Sequence, residues 1–341
     1  MSLSLPEPGP PLPSLSALLG GALPGLLADC RRHVGQIAGI ERAVGGNVSH
    51  VFRVRGACGN VILKIRADRF ARIPALRTDP AMIADERRAL EVYAGVEPSV
   101  FPRVLAFRAA AHAMILTDVF PDGRNYHQHL DQRPATAEEM TRLGSTLRRI
   151  HQATQDVRTE IRSQGDVWFR DHTFGFCLRA TGHDALSRAC EELAALPGQQ
   201  LILGDLAPKN LSLAGGVAIC DLDNVHRGWP LYDIGYFLAH LLIHHLRWAG
   251  HLRTLVPALL AAYFAAEPPQ QRSPADAVLM AKVVAGVVLY RLATETVPYP
   301  LAGPPALASR FRDRVLRLLD TGAFTVQDLI RAAKAPERAD A

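Results

Sequence analysis

The spacing of apolar positions changes character along this chain of 341 residues. After a proline-rich stretch over 1–14, residues 15–35 carry an apolar face at helical spacing, with Pro24 expected to break or kink it. Alternation with period two then takes over. Residues 37–43, 50–55 and 60–66 read as strands, divided by the Gly45-Gly46 and Gly56-Ala57-Cys58-Gly59 turns. Asp79-Pro80 opens a helix over 80–94, and strands follow near 103–108 and 112–118. Beyond Asp118 the period is mostly helical. Thr136-x-x-Glu139 is a capping box, followed by Met140, Leu143, Leu147 and Ile150 at helical spacing. Further helices are predicted over 184–196, 231–248, 251–266, 275–295, 305–320 and 325–335. Two short strands, 200–203 and 217–220, interrupt them and are expected to pair as a hairpin. The predicted architecture is α+β and bilobal. It has an extension over 1–37, a small β-rich lobe over 38–119 and a larger helical lobe over 120–341.

Composition narrows the class. An apolar content of 48% with 21% charge is that of a globular protein, not a disordered one. Lys and Arg total 38 against 33 Asp and Glu, a formal net charge of +5. Such a balance raises nucleic acid as a partner, but the arginines are scattered, without a basic run or interleaved aromatics. No nucleic-acid partner is expected. Only four basic residues are lysines: Lys64, Lys209, Lys282 and Lys334. The five cysteines are odd in number and lack a Cys-x-x-Cys pair, which argues against a disulfide scaffold or structural zinc. No signal peptide or membrane span is evident, so a cytoplasmic protein without a membrane partner is expected, as monomer or homodimer.

The chemistry concentrates between and after the two late strands. Leu203-Gly204-Asp205-Leu206-Ala207-Pro208-Lys209-Asn210 carries Asp205 and, five residues on, Asn210; the next strand ends in Cys220-Asp221-Leu222-Asp223. Phosphoryl transfer from a nucleotide needs a carboxylate to take the hydroxyl proton. It also needs an amide and a carboxylate to hold divalent metal, and a cation on the α- and β-phosphates. Asp205, Asn210 and Asp221 fit the first three tasks, with Asp223 as a second metal ligand. Lys64, in the strand Val61-Ile62-Leu63-Lys64, fits the last, positioned by Glu86 on the following helix. Gly45 and Gly46, with Ser49, form a turn whose backbone N–H groups can approach phosphate. No Walker, Gly-x-Ser-x-Gly or Gly-x-Gly-x-x-Gly motif is present.

In order and context these residues resemble the aminoglycoside phosphotransferase and choline kinase group of small-molecule kinases, over about 38–330. The family's His-Gly-Asp-Leu-x-x-x-Asn is matched by Leu203 to Asn210, and its Ile-Asp-x-Glu/Asp by Cys220 to Asp223. Its Asp-Pro-x-x-Asp-Leu-Ala is similar to Trp229-Pro230-Leu231-Tyr232-Asp233-Ile234-Gly235, and its Leu-His to Ile150-His151. The segment from Asp233 looks most like the methylthioribose kinase branch. The resemblance implies a protein-kinase-like fold, ATP and Mg²⁺ as cofactors, and adenine held by the backbone near Thr117 and Val119. Leu203 stands where the family has a histidine that supports the loop. There is no Asp-Phe-Gly or Ala-Pro-Glu, which argues against a protein kinase.

The expected function is ATP-dependent phosphorylation of a small-molecule hydroxyl. Candidate substrate or phosphate contacts are Lys209, His226, Arg227, Trp229 and, by the methylthioribose kinase resemblance, Arg291. The acceptor is expected to be of sugar or amino-alcohol type, a sugar first: from Val225 to Ala341 there are nine acidic residues and thirteen basic ones, which favours a neutral or anionic substrate over a polycationic aminoglycoside. The alternatives are an antibiotic kinase, or a non-catalytic nucleotide-binding protein, for which Leu203 is the motive. His240 and His244 are four apart, a spacing that admits zinc, but no glutamate completes a His-Glu-x-x-His motif and core packing is expected.

Overall fold

Pro24 opens a helix where the sequence pattern suggested a break. The computed structural model describes residues 13–43, 46–120, 122–170, 175–196, 199–265, 273–293 and 304–334. Helix α1 (Leu15–Leu19) closes at Gly20, whose φ of 47° suits glycine. After one 3-10 turn, α2 (Leu23–Val34) begins with Pro24 in its first turn, where a missing N–H leaves no hydrogen bond unmade. The single helix expected over 15–35 is two helices.

The chain divides into two compact units, Met1–Glu91 with Pro102–Asp118, and Val92–Phe101 with Val119–Ala341. The first is built on an antiparallel sheet of β1 (Ile37–Arg42), β2 (His50–Gly56), β3 (Gly59–Ile65), β4 (Val104–Arg108) and β5 (Ala113–Thr117), in the order β1-β2-β3-β5-β4. Helix α3 (Ile83–Val96) comes between β3 and β4 in the chain. Alternation in β3 sends Val61, Leu63 and Ile65 into a core with Phe52, Val54 and the α2 residues Leu26, Cys30 and Val34. Lys64 therefore falls on the opposite face of the central strand, paired in register with Val51 and Met114. Asp29 of α2 accepts from Nε and Nη2 of Arg108 at 2.8 and 2.9 Å, fastening the helix to β4. Gly56 is obligatory, because a Cβ there would lie 2.3 Å from the Val34 carbonyl oxygen.

The second unit is mainly helical. Helix α4 (Tyr126–Leu130) and helix α5 (Ala137–Thr154) both start with capping boxes; at α5 it is the predicted Thr136–Glu139 pair. Then come α6 (Asp166–Phe169), α7 (Phe176–Arg179) and α8 (Asp184–Ala195). After the short strands β6 (Gln200–Ile202), β7 (Leu211–Ser212), β8 (Ala218–Ile219) and β9 (His226–Gly228), helices α9 (Pro230–His244), α10 (Leu252–Tyr263), α11 (Pro274–Ala293), α12 (Pro305–Asp320) and α13 (Val326–Lys334) complete the unit. Helices α9 and α11 pack together and are buried on most sides, with Leu238, Leu242, Val284 and Val288 fully buried.

The two late strands do not pair with each other. Instead β6 pairs with β9, and β7 with β8. The loop from Leu203 to Asn210 thus runs from one ribbon to the other. The first-predicted partner of 200–203 is replaced by a strand that follows Asp223, because the chain returns alongside β6 before entering α9. No helix among the described residues is long and apolar enough to cross a membrane.

Candidate active site

The first unit holds a buried ion pair. Lys64 Nζ donates to Glu86 Oε1 at 2.6 Å, and both side chains are almost wholly buried. The strand register and the first turns of α3 supply this geometry. In the glycine turn, Gly45 lies outside the described residues. Gly46 and Ser49 are seen, and the carbonyls of the intervening Asn47 and Val48 accept from the N–H groups of Arg72 and Ala71. Ser49 is buried. Thr117 closes β5, its backbone and hydroxyl bonded to the backbone of Arg103. The next residue, Asp118, accepts from Arg53 at 2.7 Å, and Val119 is the first residue of the second unit's long segment.

The second unit gathers its polar residues around Asp205. Gly204 precedes it with φ of 78°, and a Cβ at that position would meet the Asn224 carbonyl oxygen at 2.5 Å. Only glycine permits this approach. Asn210 Nδ2 donates to the Asp205 carbonyl at 3.0 Å and to Oδ2 at 3.1 Å. Lys209 Nζ lies 3.3 Å from Oδ2, and Arg291 Nη2 lies 4.0 Å from Oδ1 while donating to the Tyr236 hydroxyl at 2.6 Å. The Asp205 carboxylate is thus bracketed by two cations. Burial disfavours the charge on Lys209, but Asp205 and then Asp221 outweigh it and hold the ammonium above its usual pKa. Arg291 is shifted the same way, with Tyr236 and Asp205 opposing the cost of burial.

Asp221 occupies the left-handed region, with φ of 64°, a conformation that costs a non-glycine residue energy. Asp223 is buried beside Asn224, whose amide donates to it at 3.0 Å. Arg162 braces this turn from behind, donating to the carbonyls of Val225 and Asp223 at 2.5 and 2.6 Å and stacking over Phe169. The donor set of Asn210, Asp221 and Asp223 consists of oxygens, because the Asn210 amide nitrogen is committed to Asp205. Oxygen donors of this kind suit a hard divalent cation such as Mg²⁺.

Asp233, near the start of α9, anchors the loop. Its carboxylate accepts from the N–H groups of Leu203 and Gly204, both at 2.8 Å, and lies 3.1 Å from His151 Nε2. His151 continues through Nδ1 to the Tyr263 hydroxyl at 2.8 Å. The Leu203 side chain is buried, so the support expected from a histidine there is supplied through the backbone by Asp233.

His226 and Arg227 have structural partners. His226 is fully buried with Nδ1 donating to the Asn224 carbonyl at 2.7 Å, and Arg227 donates to Asp166 and the Val157 carbonyl. Trp229 lines a small pocket with His226, Ile202, Leu178 and Tyr232. Tyr236 went unnoticed in the sequence because only its position, three residues after Asp233 on one helical face, connects it to the motif.

Burial lowers the pKa of His226 to about 3 and that of His240 well below 6.5. Their folded pKa values lie below the unfolded value near 6.5, so the stability from holding them neutral is complete above that pH. It drains away as pH falls toward the folded values, at up to about 1.4 kcal/mol per pH unit for each ring. Urea melts are expected to be level between pH 7.5 and 8.5 as far as these rings contribute, and to weaken by about 2–3 kcal/mol on reaching pH 5.5.

The sequence pattern of the phosphotransferase enzyme family, APH, matches residues 40–276, most of the chain. The chain belongs to this family. It is a small-molecule phosphotransferase. Among solved structures, it is similar to the microcompartment-associated aminopropanol kinase, with a TM-score of 0.59 and 16% identity over 90% of this chain and 99% of that one. Amicoumacin kinase hAmiN, in complex with AMP-PNP and Ca²⁺, gives 0.57 and 15% over 91% and 96%. A choline/ethanolamine kinase family protein from Mesorhizobium loti gives 0.54 and 17% over 91% and 98%. At such identities the likeness is one of fold, the α+β protein-kinase-like fold. No curated protein matches the chain at a significant level.

Proposed function

We propose that this phosphotransferase moves the γ-phosphate of ATP to a hydroxyl of a small neutral or anionic metabolite, a sugar in preference to an amino alcohol. The observation that carries the reading is the pair of cations beside Asp205: Lys209 at 3.3 Å and Arg291 at 4.0 Å. An acceptor with ammonium groups near its reactive hydroxyl would meet both charges, whereas a polyol gains hydrogen bonds from them. In this reading Asp205 orients the hydroxyl and takes its proton. Lys209 offsets negative charge on the transferring group, and Arg291 with Tyr236 positions the acceptor. Lys64, held by Glu86, binds the α- and β-phosphates, with Thr117 and Val119 offering backbone to adenine. Asn210, Asp221 and Asp223 would hold Mg²⁺, which supplies charge neutralisation on the phosphates when bound.

The test is a turnover panel with Mg-ATP and sugars, amino alcohols and aminoglycosides. A sugar is expected to give the highest kcat/KM; preference for an aminoglycoside or a choline-like acceptor would overturn the substrate assignment. Nucleotide binding is tested separately. Lys64→Met removes a charged hydrogen bond to phosphate, so calorimetry is expected to give an ATP Kd about 10- to 100-fold weaker.

A further inference from the structure

Away from Asp205, a second set of ligand-type side chains converges. His127 of α4, Asp131 at the end of that helix and His244, the last residue of α9, place ligand atoms within 4.8 Å of one another. His127 and Asp131 are four residues apart, one helical turn, so they share a face. Their Nε2 and Oδ2 atoms are 3.7 Å apart, and the ring of His127 meets the ring of His244 edge-on at 4.4 Å between centroids. The second carboxylate oxygen of Asp131 is buried without a hydrogen-bond partner among the described residues.

We propose that His127, Asp131 and His244 form a site for a divalent transition ion of the zinc class, separate from the oxygen-donor group at Asn210, Asp221 and Asp223. Two imidazoles and one carboxylate are a recurrent donor set for such ions, and a water completes four-coordination. The present separations, up to 4.8 Å, exceed the spacing in a bound tetrahedron, so binding requires the half-buried Asp131 side chain to turn toward the rings. His245, one residue on, accepts the Ala135 N–H at Nε2 and meets the Leu241 carbonyl through Nδ1. His240, the partner that sequence spacing pairs with His244, packs instead against the Tyr236 ring.

The site's position gives it a consequence. Helix α4 packs against the 3-10 turn Pro208–Asn210 and against β7. An ion held here would tie α4 to the C-terminal end of α9 next to the turn bearing Lys209 and Asn210.

The experiment uses the full chain, stripped with chelator and supplied with excess Mg²⁺ to saturate oxygen-donor sites. Co²⁺ is titrated and followed by its visible absorption, and Zn²⁺ by calorimetry. One ion per chain is expected, with an absorption of tetrahedral type, and Zn²⁺ is expected to raise the melting temperature. His127→Ala and Asp131→Ala alter partly exposed residues and should weaken binding about 10- to 100-fold or more. Asp221→Asn should leave Zn²⁺ affinity unchanged. His244 is buried, so His244→Ala is read only if circular dichroism shows a folded chain. Absence of Zn²⁺ binding, or equal binding by the His127→Ala and Asp131→Ala variants, overturns the proposal. Loss in Asp221→Asn alone assigns the ion to the other site and overturns it as well.

Discussion

Asp205→Ala is expected to lower turnover by about 10²- to 10⁴-fold, the usual loss when a positioned base is removed. Nucleotide affinity should be almost unchanged. Asp205 is tied to Asn210 through both its carbonyl and its carboxylate, and its two oxygens face Lys209 and Arg291. Those contacts fix where the carboxylate points, so alanine removes a poised proton acceptor rather than a mobile surface charge. The variant also leaves two cations without their shared anion. Their repulsion is expected to open the pocket locally, which makes Asp205→Asn the cleaner comparison: similar volume, no charge and a poor base. Both are checked by a coupled turnover assay and calorimetric ATP titration. If Asp205→Asn turns over at more than about one-tenth of the wild-type rate, Asp205 is not the base.

Asp233→Ala is expected to cost both stability and turnover. The backbone N–H groups of Leu203 and Gly204 would lose the carboxylate that accepts from them, and His151 its carboxylate partner, all in a buried region. A buried donor left unsatisfied costs about 1–3 kcal/mol, so the variant should lose several kcal/mol and melt many degrees lower. Because that carboxylate holds the N–H groups of Leu203 and Gly204 directly before Asp205, the loop that presents Asp205 should lose its orientation with it. Asp233→Asn keeps one accepting oxygen but turns an amide NH₂ toward a donor, and should fall between wild type and alanine. A thermal melt with kcat and ATP Kd separates the outcomes. A large fall in kcat at conserved Kd is expected below the melting range. Wild-type kcat in a destabilised Asp233→Ala would show that the carboxylate holds the fold without orienting the loop.

Much of this was legible from local patterns. Alternation located all five strands of the first unit to within a residue or two, because one face of that sheet is covered by α2 and the apolar positions must follow the pleat. The order of Lys64, Glu86, Asp205, Asn210 and Asp221 carried the reading of the site, since each requirement of phosphoryl transfer names a residue type and a position on an element. What failed depends on long-range partners. Strand runs of two or three residues carry too little alternation to specify a neighbour, so the pairing of β6 with β9 was invisible. His226 and Arg227, read as substrate contacts because they follow the metal-type turn, also bond to backbone carbonyls that no spacing announces. Tyr236 joins Arg291 across 55 residues of chain, and His244 meets His127 across a still longer separation; no spacing rule covers either.

The lysines have a practical consequence at the bench. Lys64 is buried against Glu86, Lys209 sits beside Asp205, and Lys282 lies 3.4 Å from Glu192. With Lys334 they are the only side-chain amines in 341 residues. An acyl-phosphate derivative of ATP, which acylates an amine next to its phosphates, therefore meets almost no competing nucleophiles of its own class. Peptide mass spectrometry on such a sample would read nucleotide docking from labelling at Lys64 and Lys209, and would do so before any acceptor molecule is known.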